Sequence, residues 1–239
     1  SVWGDIGRNK FRLKRYSVQS KAVLLFSLLL IVVPALYFYF AEFSSAAWKA
    51  ELSGGERALA SFFQAVTPRT AGFNTVDYSK MSEASLLVTI ALMLTGGASG
   101  STAGGMKITT VAVLFCAAVA AVRKRKEVRC FGRRISSDTV KDAATIAFLY
   151  ITLFCAGSVA ISAIENLPII DCMFETASAI ATVGLTTGIT AGLSAASHII
   201  LIALMYFGRV GGLTLFTAVA FGTKSGDDGS LPLGTIAVG

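Results

Sequence analysis

Thr70-Ala71-Gly72-Phe73-Asn74 and Thr182-Val183-Gly184-Leu185-Thr186 stand at the same place in two copies of one pattern. Shifting the sequence against itself by about 112 positions aligns Phe62 with Phe174, Ala65 with Ala177, Thr70 with Thr182, Gly72 with Gly184 and Thr75 with Thr187. The match runs on without a gap. It takes in Ser85 with Ser197, Ile90-Ala91-Leu92-Met93 with Ile202-Ala203-Leu204-Met205, Gly96 with Gly208, Gly100 with Gly212 and Thr102 with Thr214. A register kept over that distance reads as two copies of one structural unit.

What surrounds the two segments decides their solvent. Hydrophobic residues make up 54% of the 239 and charged residues only 15%, the balance of a membrane protein. Residues 22–41 and 143–164 are uncharged runs of about twenty residues, each long enough to cross a bilayer as a helix. A third apolar stretch, 84–122, would be roughly 58 Å long as one helix, too long for one straight crossing. It is broken by Gly96-Gly97-Ala98-Ser99-Gly100-Ser101-Thr102-Ala103-Gly104-Gly105, where helix propensity is poor. The fourth span, 197–222, carries one charge, Arg209.

The net charge of +7 is concentrated in two runs, Arg8 to Lys21 and Arg123 to Arg134. Positive-inside reasoning puts both in the cytoplasm, two crossings apart. Acids on the opposite side, among them Glu42, Glu51, Glu56, Glu165 and Glu175, read either as a vestibule that concentrates cations or as solvated loop residues. The four cysteines have no metal-ligand spacing and read as packing residues. His198 reads as an interfacial residue. The predicted organisation is a basic cytoplasmic linker (1–20), a first membrane-pore-membrane repeat (21–122), a basic cytoplasmic loop (123–138), a second repeat (139–222) and a cytoplasmic tail (223–239).

Residues 56–67 and 171–182 are amphipathic and too short to cross; each predicts a re-entrant helix followed by an extended strand. Glu56 and Asp171 stand near the starts, where they suit the helix dipole. Irregular backbone at membrane depth is permitted only where it is buried in protein or lines water, so the Thr-x-Gly segments imply a polar pathway. A dehydrated monovalent cation needs several oxygens, which backbone carbonyls supply without a trapping charge. Glycine at the centre allows φ values that other residues resist. Thr70 and Thr182 could add a hydroxyl, or simply pack.

Thr67-Pro68-Arg69-Thr70-Ala71-Gly72-Phe73-Asn74, together with Thr95-Gly96-Gly97 through Gly104-Gly105-Met106-Lys107, resembles the third repeat of the Trk/Ktr/HKT potassium transporter superfamily. Ala181-Thr182-Val183-Gly184-Leu185-Thr186 and Gly208-Arg209-Val210-Gly211-Gly212 resemble its fourth. Within the superfamily the chain is most similar to the bacterial Ktr membrane subunit. The resemblance implies an all-α integral membrane fold, the second half of a four-repeat potassium-channel-like pore. It implies K⁺, with Na⁺ the other candidate, at filter residues Thr70, Ala71, Gly72, Phe73, Asn74, Thr182, Val183, Gly184, Leu185 and Thr186, and no organic cofactor. The first two repeats are then expected upstream in a longer protein, or in a second copy.

By itself the break at 96–105 reads equally as a permanent kink or as a movable loop. The resemblance implies a gate: Gly96, Gly97, Ala98, Ser99, Gly100, Ser101, Thr102, Ala103, Gly104 and Gly105 below the filter, with Lys107 at the end of the loop. Arg209, costly within a span, is implied to be an electrostatic barrier that also holds the loop. The implied partners are membrane lipid, a second complete subunit and a cytosolic nucleotide-binding regulatory ring, in a multi-pass protein of the cell membrane. Neither an enzyme nor a nucleic-acid binder is expected. Gly100 and Gly105 have phosphate-loop separation, but Met106 stands where the lysine belongs. The rival reading is a non-conducting structural or regulatory membrane subunit.

Overall fold

The computed structural model describes residues 16–98, 103–125 and 127–210. Expectations that rest on residues 1–15, on Ser99, Gly100, Ser101 and Thr102, and on 211–239 lie outside these. Helix α1 (Val18–Tyr37) begins at Ser17, whose hydroxyl accepts from the Ser20 N–H at 3.2 Å. It runs past Pro34 into a π-helical turn, Phe38–Glu42, closed by Phe43 N–H to Phe38 O at 2.8 Å. The wider turn is the kind of irregularity that re-aims side chains; Phe38 and Glu42 both end up buried.

Short helices α2 (Ala46–Glu51) and α3 (Gly54–Val66) follow. α3 starts in a capping box, with the Ser53 hydroxyl accepting from the Glu56 N–H and the Glu56 carboxylate accepting from the Ser53 N–H at 2.8 Å. Helices α4 (Glu83–Leu94) and α5 (Ile108–Val122) flank the glycine-rich break. The expected loop 123–138 contains a hairpin, β1 (Arg129–Cys130) and β2 (Arg133–Arg134), with Arg129 opposite Arg134. Phe131 and Gly132 at its turn have φ of 49° and 79°, as a two-residue hairpin turn requires. Helix α6 (Ser137–Glu165) is capped by Ser136 and ends at Asn166 in the left-handed conformation. Then come α7 (Ile169–Ile180) and α8 (Ala195–Val210).

Among the described residues two helices are long and apolar enough to cross a membrane, Val18–Glu42 and Ser137–Glu165. Only 17% of the most apolar window of the first is buried. Its Leu24, Leu28, Leu29 and Val33 are left outward. The two short helices are treated differently. α7 is covered from Phe174 to Ile180, whereas α3 exposes Leu59 and Phe62. One core joins the halves: Phe38, Phe43, Trp48 and Tyr78 pack with Phe174, Ala177 and Leu185, and the Tyr78 and Phe174 rings lie 5.0 Å apart.

Candidate functional site

Each Thr-x-Gly segment leaves the C-terminus of a short helix through tight hydrogen-bonded turns. After α3, the Ala71 and Gly72 N–H groups both donate to Thr67 O, at 3.1 and 3.2 Å; after α7, Thr182 N–H donates to Ala179 O at 3.0 Å and Val183 N–H to Ser178 O at 2.9 Å. Positive φ then recurs at matched positions: Thr70 at 65° and Gly72 at 72°, Thr182 at 53° and Gly184 at 92°. Positive φ in a β-branched residue is an outlier, costing of order 1–3 kcal/mol. Two threonines carrying it at equivalent sites mark a backbone shape imposed from outside. Neither segment is the extended strand expected from sequence, because left-handed residues break a strand's direction.

The two segments touch. A Cβ on Gly72 would strike the carbonyl oxygen of Val183, whereas Gly184 faces open space and needs glycine only for its φ. Thr67 Oγ1 donates to Phe73 O at 2.8 Å, and Ser178 Oγ accepts from the Gly184 N–H at 3.1 Å. Val183 and Leu185 turn their side chains into the core; Ala71, Phe73 and Asn74 are exposed. The Thr182 hydroxyl is buried without a hydrogen-bond partner among the described residues.

The glycine-rich break is tied at its neck. Met106 N–H donates to Leu94 O at 3.1 Å, Gly96 N–H to Met106 O at 2.8 Å and Ile108 N–H to Gly97 O at 3.1 Å. Lys107 Nζ donates to Ala103 O, a bond from the end of the loop back to its own carbonyl. A Cβ on Gly104 would strike Thr182 Oγ1 and lie 2.6 Å from Ala181 O. The loop therefore abuts the start of the second segment. Arg209 shares a cavity of ≈ 700 Å³ with Thr182 to Thr186, Glu175 and, on its own helix face, Leu201 and Met205. Ala98 is half-buried beside Gly97.

Several acids have a use that the sequence did not reveal. Glu42, only 5% exposed, accepts from Trp48 Nε1 at 3.0 Å, from the Ser82 N–H at 3.2 Å and from the Ser82 and Ser85 hydroxyls. Glu165 accepts from the Ser194 N–H at 2.9 Å and from the Ser194 and Ser197 hydroxyls. Ser82 and Ser85 match Ser194 and Ser197 in the internal register, so the N-termini of α4 and α8 are held by the same device. Glu175, 4% exposed, accepts from Thr186 Oγ1 at 2.6 Å, the Thr187 N–H at 3.1 Å and Thr190 Oγ1 at 2.7 Å. Glu42 and Glu175 are thus not solvated loop residues. Glu56 is exposed, and its hydrogen bonds with the Ser53 side chain and N–H hold its carboxyl below the usual carboxylate range. Among the described residues no group of three or more His, Cys, Asp or Glu could hold a metal ion.

The family model described as "TrkH: Cation transport protein" matches residues 8–227. The chain is 36% identical over 220 residues to Ktr system potassium uptake protein B of Bacillus subtilis, covering 92% of this chain and 49% of that protein. It is 37% identical over 218 residues to the potassium/sodium uptake protein NtpJ of Enterococcus hirae, covering 90% and 48%. The chain spans about half the length of the curated relatives it matches. Its fold is similar to the crystal structure of the potassium transporter TrkH from Vibrio parahaemolyticus, with a TM-score of 0.70 at 20% identity, over 93% of this chain and 48% of that one.

Proposed function

The chain belongs to the TrkH family of cation transport proteins, and on that basis we propose that it forms half of a membrane pore passing K⁺ into the cell. Two membrane-pore-membrane repeats supply two walls of the filter, residues 70–74 and 182–186. Further repeats, upstream in the same protein or in a second copy, complete the ring. The observation that carries this reading is the pair of Thr-x-Gly turns, with positive φ at matched positions and Gly72 pressed against the Val183 carbonyl. Such strain persists where the surrounding structure over-determines it and serves a site.

K⁺ is the cargo, since glycine occupies both centres and leaves the backbone free to present carbonyls; Na⁺ is the second candidate, being named beside potassium in one relative. The loop at 96–105 is the gate, supported by the contact of Gly104 with Thr182 and by the Lys107 bond to Ala103. Arg209, in the cavity beside the second segment, opposes cation flow until the loop moves. The protein sits in the cell membrane with its basic hairpin and C-terminus in the cytoplasm. There the hairpin meets anionic lipid or a cytosolic nucleotide-binding ring, and complete subunits pair as a homodimer.

Rb⁺ uptake into liposomes tests the proposal, using this chain alone, the chain joined to the part of its relatives it does not cover, and that whole protein with Gly184→Ser. Uptake by the whole protein that K⁺ suppresses, and that loses K⁺ preference with Gly184→Ser, supports a shared filter. A folded, inserted whole protein that takes up no Rb⁺ refutes conduction.

A further inference from the structure

We propose that Glu175 is the positioning residue of the second filter wall and sets its preference among monovalent cations. The inference rests on the pore reading above and deepens it. Glu175 lies midway along α7, with its carboxylate turned to the chain that follows Gly184 rather than to open solvent. One oxygen accepts from Thr186 Oγ1 and the Thr187 N–H, the other from Thr190 Oγ1. The Thr186 hydroxyl also accepts from the Gly188 N–H at 2.8 Å and lies 2.9 Å from Thr190 Oγ1. One buried carboxylate therefore knits residues 186 to 190 into a single hydrogen-bonded knot at the end of the segment.

Bonds to an ionised acceptor are shorter and roughly twice as strong as neutral ones. With these donors in place, both carboxylate oxygens are engaged by protein and the group acts on the wall's shape rather than as an ion ligand. The first wall is held differently. Gln64, fully buried on α3, donates to Thr75 Oγ1 at 3.3 Å and accepts from the Tyr78 hydroxyl. Internal register puts Phe63, not Gln64, opposite Glu175. The pore is thus expected to have one wall braced by a neutral amide and one by a carboxylate. A filter that separates ions of similar size by the spacing of its oxygens depends on such bracing, and the more strongly held wall limits how far the ring can adjust.

The test uses the whole protein in liposomes and reads the K⁺ and Na⁺ concentrations that halve Rb⁺ uptake. The ratio of the Na⁺ to the K⁺ concentration reports discrimination, which a loss of correctly folded protein leaves unchanged. Glu175→Ala is expected to lower the ratio roughly tenfold, the effect of losing one hydrogen bond to a charged group. Glu175→Gln keeps an acceptor for Thr186 or Thr187 and a donor for the Thr190 oxygen, and is expected to stay within about threefold of wild type. Thr186→Val combined with Thr190→Val, which removes two of the donors and keeps the carboxylate, is expected to match Glu175→Ala. An unchanged ratio in Glu175→Ala overturns the proposal, and so does a Gln variant as impaired as the Ala variant, which would make charge the cause. If Glu175→Ala does not fold, the Thr186 and Thr190 double variant decides in its place, and an unchanged ratio there overturns the proposal equally. Absence of Rb⁺ uptake by wild type refutes the pore reading itself.

Discussion

Replacing Gly72 by alanine should damage the protein more than the same change at Gly184, although the two occupy equivalent positions. Both have positive φ, 72° and 92°, so alanine at either is strained by about 1–3 kcal/mol, partly offset by about 0.4–1 kcal/mol from a stiffer unfolded chain. At Gly184 nothing lies within 4 Å of the added carbon, and the effect ends there. At Gly72 the methyl meets the Val183 carbonyl oxygen and stands 3.2 Å from its carbon. Backbone cannot rotate away as a side chain can, so overpacking adds about 1–3 kcal/mol. Gly72→Ala should therefore destabilise by about 1–5.5 kcal/mol and Gly184→Ala by roughly 0–2.5 kcal/mol. Thermal unfolding of the whole protein in detergent, read beside Rb⁺ uptake, measures both. A Gly72→Ala protein that melts no lower than Gly184→Ala would mean that the two walls do not meet at that carbonyl, and the predicted difference would have no cause.

Three further outcomes follow from particular contacts. Glu42→Ala strands the Trp48, Ser82 and Ser85 donors and should lower stability by about 3 kcal/mol, whereas Glu165→Ala, whose donors lie nearer water, should cost about 1 kcal/mol; unfolding midpoints of the two variants rank them. Burial, reinforced by the neighbouring Cys116 thiol, pushes the Cys130 thiol up to about 12, so almost none is thiolate at neutral pH. Maleimide labelling of Cys130 in the folded protein should then be slow and should quicken as pH rises toward that value; rapid neutral-pH labelling would contradict the packed hairpin. Arg209→Gln should raise Rb⁺ uptake several-fold, or roughly 1 kcal/mol of barrier, and unchanged or lower uptake would remove the arginine from the pathway.

How much of this could be read from sequence depends on what kind of signal each feature leaves. Long uncharged runs report helices α1 and α6 directly, because the length of an apolar stretch is a local property. The glycine-rich break announced the interruption between α4 and α5 in the same way. Matched Thr-x-Gly segments were visible because both lie in an ungapped register. The carboxylate clamps were not, although their serines share that register. Glu42 lies 40 residues from Ser82, and Glu165 only 29 from Ser194, so the short helix α2 and its connections hide the equivalence. Glu175 gave no signal, since an acid on an amphipathic helix looks solvated until the chain folds back over it. Similarly, nothing in the spacing of Arg129 and Arg134 announced a hairpin; the turn at Phe131 and Gly132 is set by left-handed backbone, which Phe131 does not advertise.

Whether the two Thr-x-Gly segments are walls of one cation pathway can be seen by anomalous diffraction from crystals of the whole protein grown in Rb⁺, which locates the ion without relying on flux. Rb⁺ density is expected in contact with oxygens of residues 70–74 and 182–186. Rb⁺ bound elsewhere along the protein, with none at those segments in crystals of a conducting protein, would contradict a shared filter.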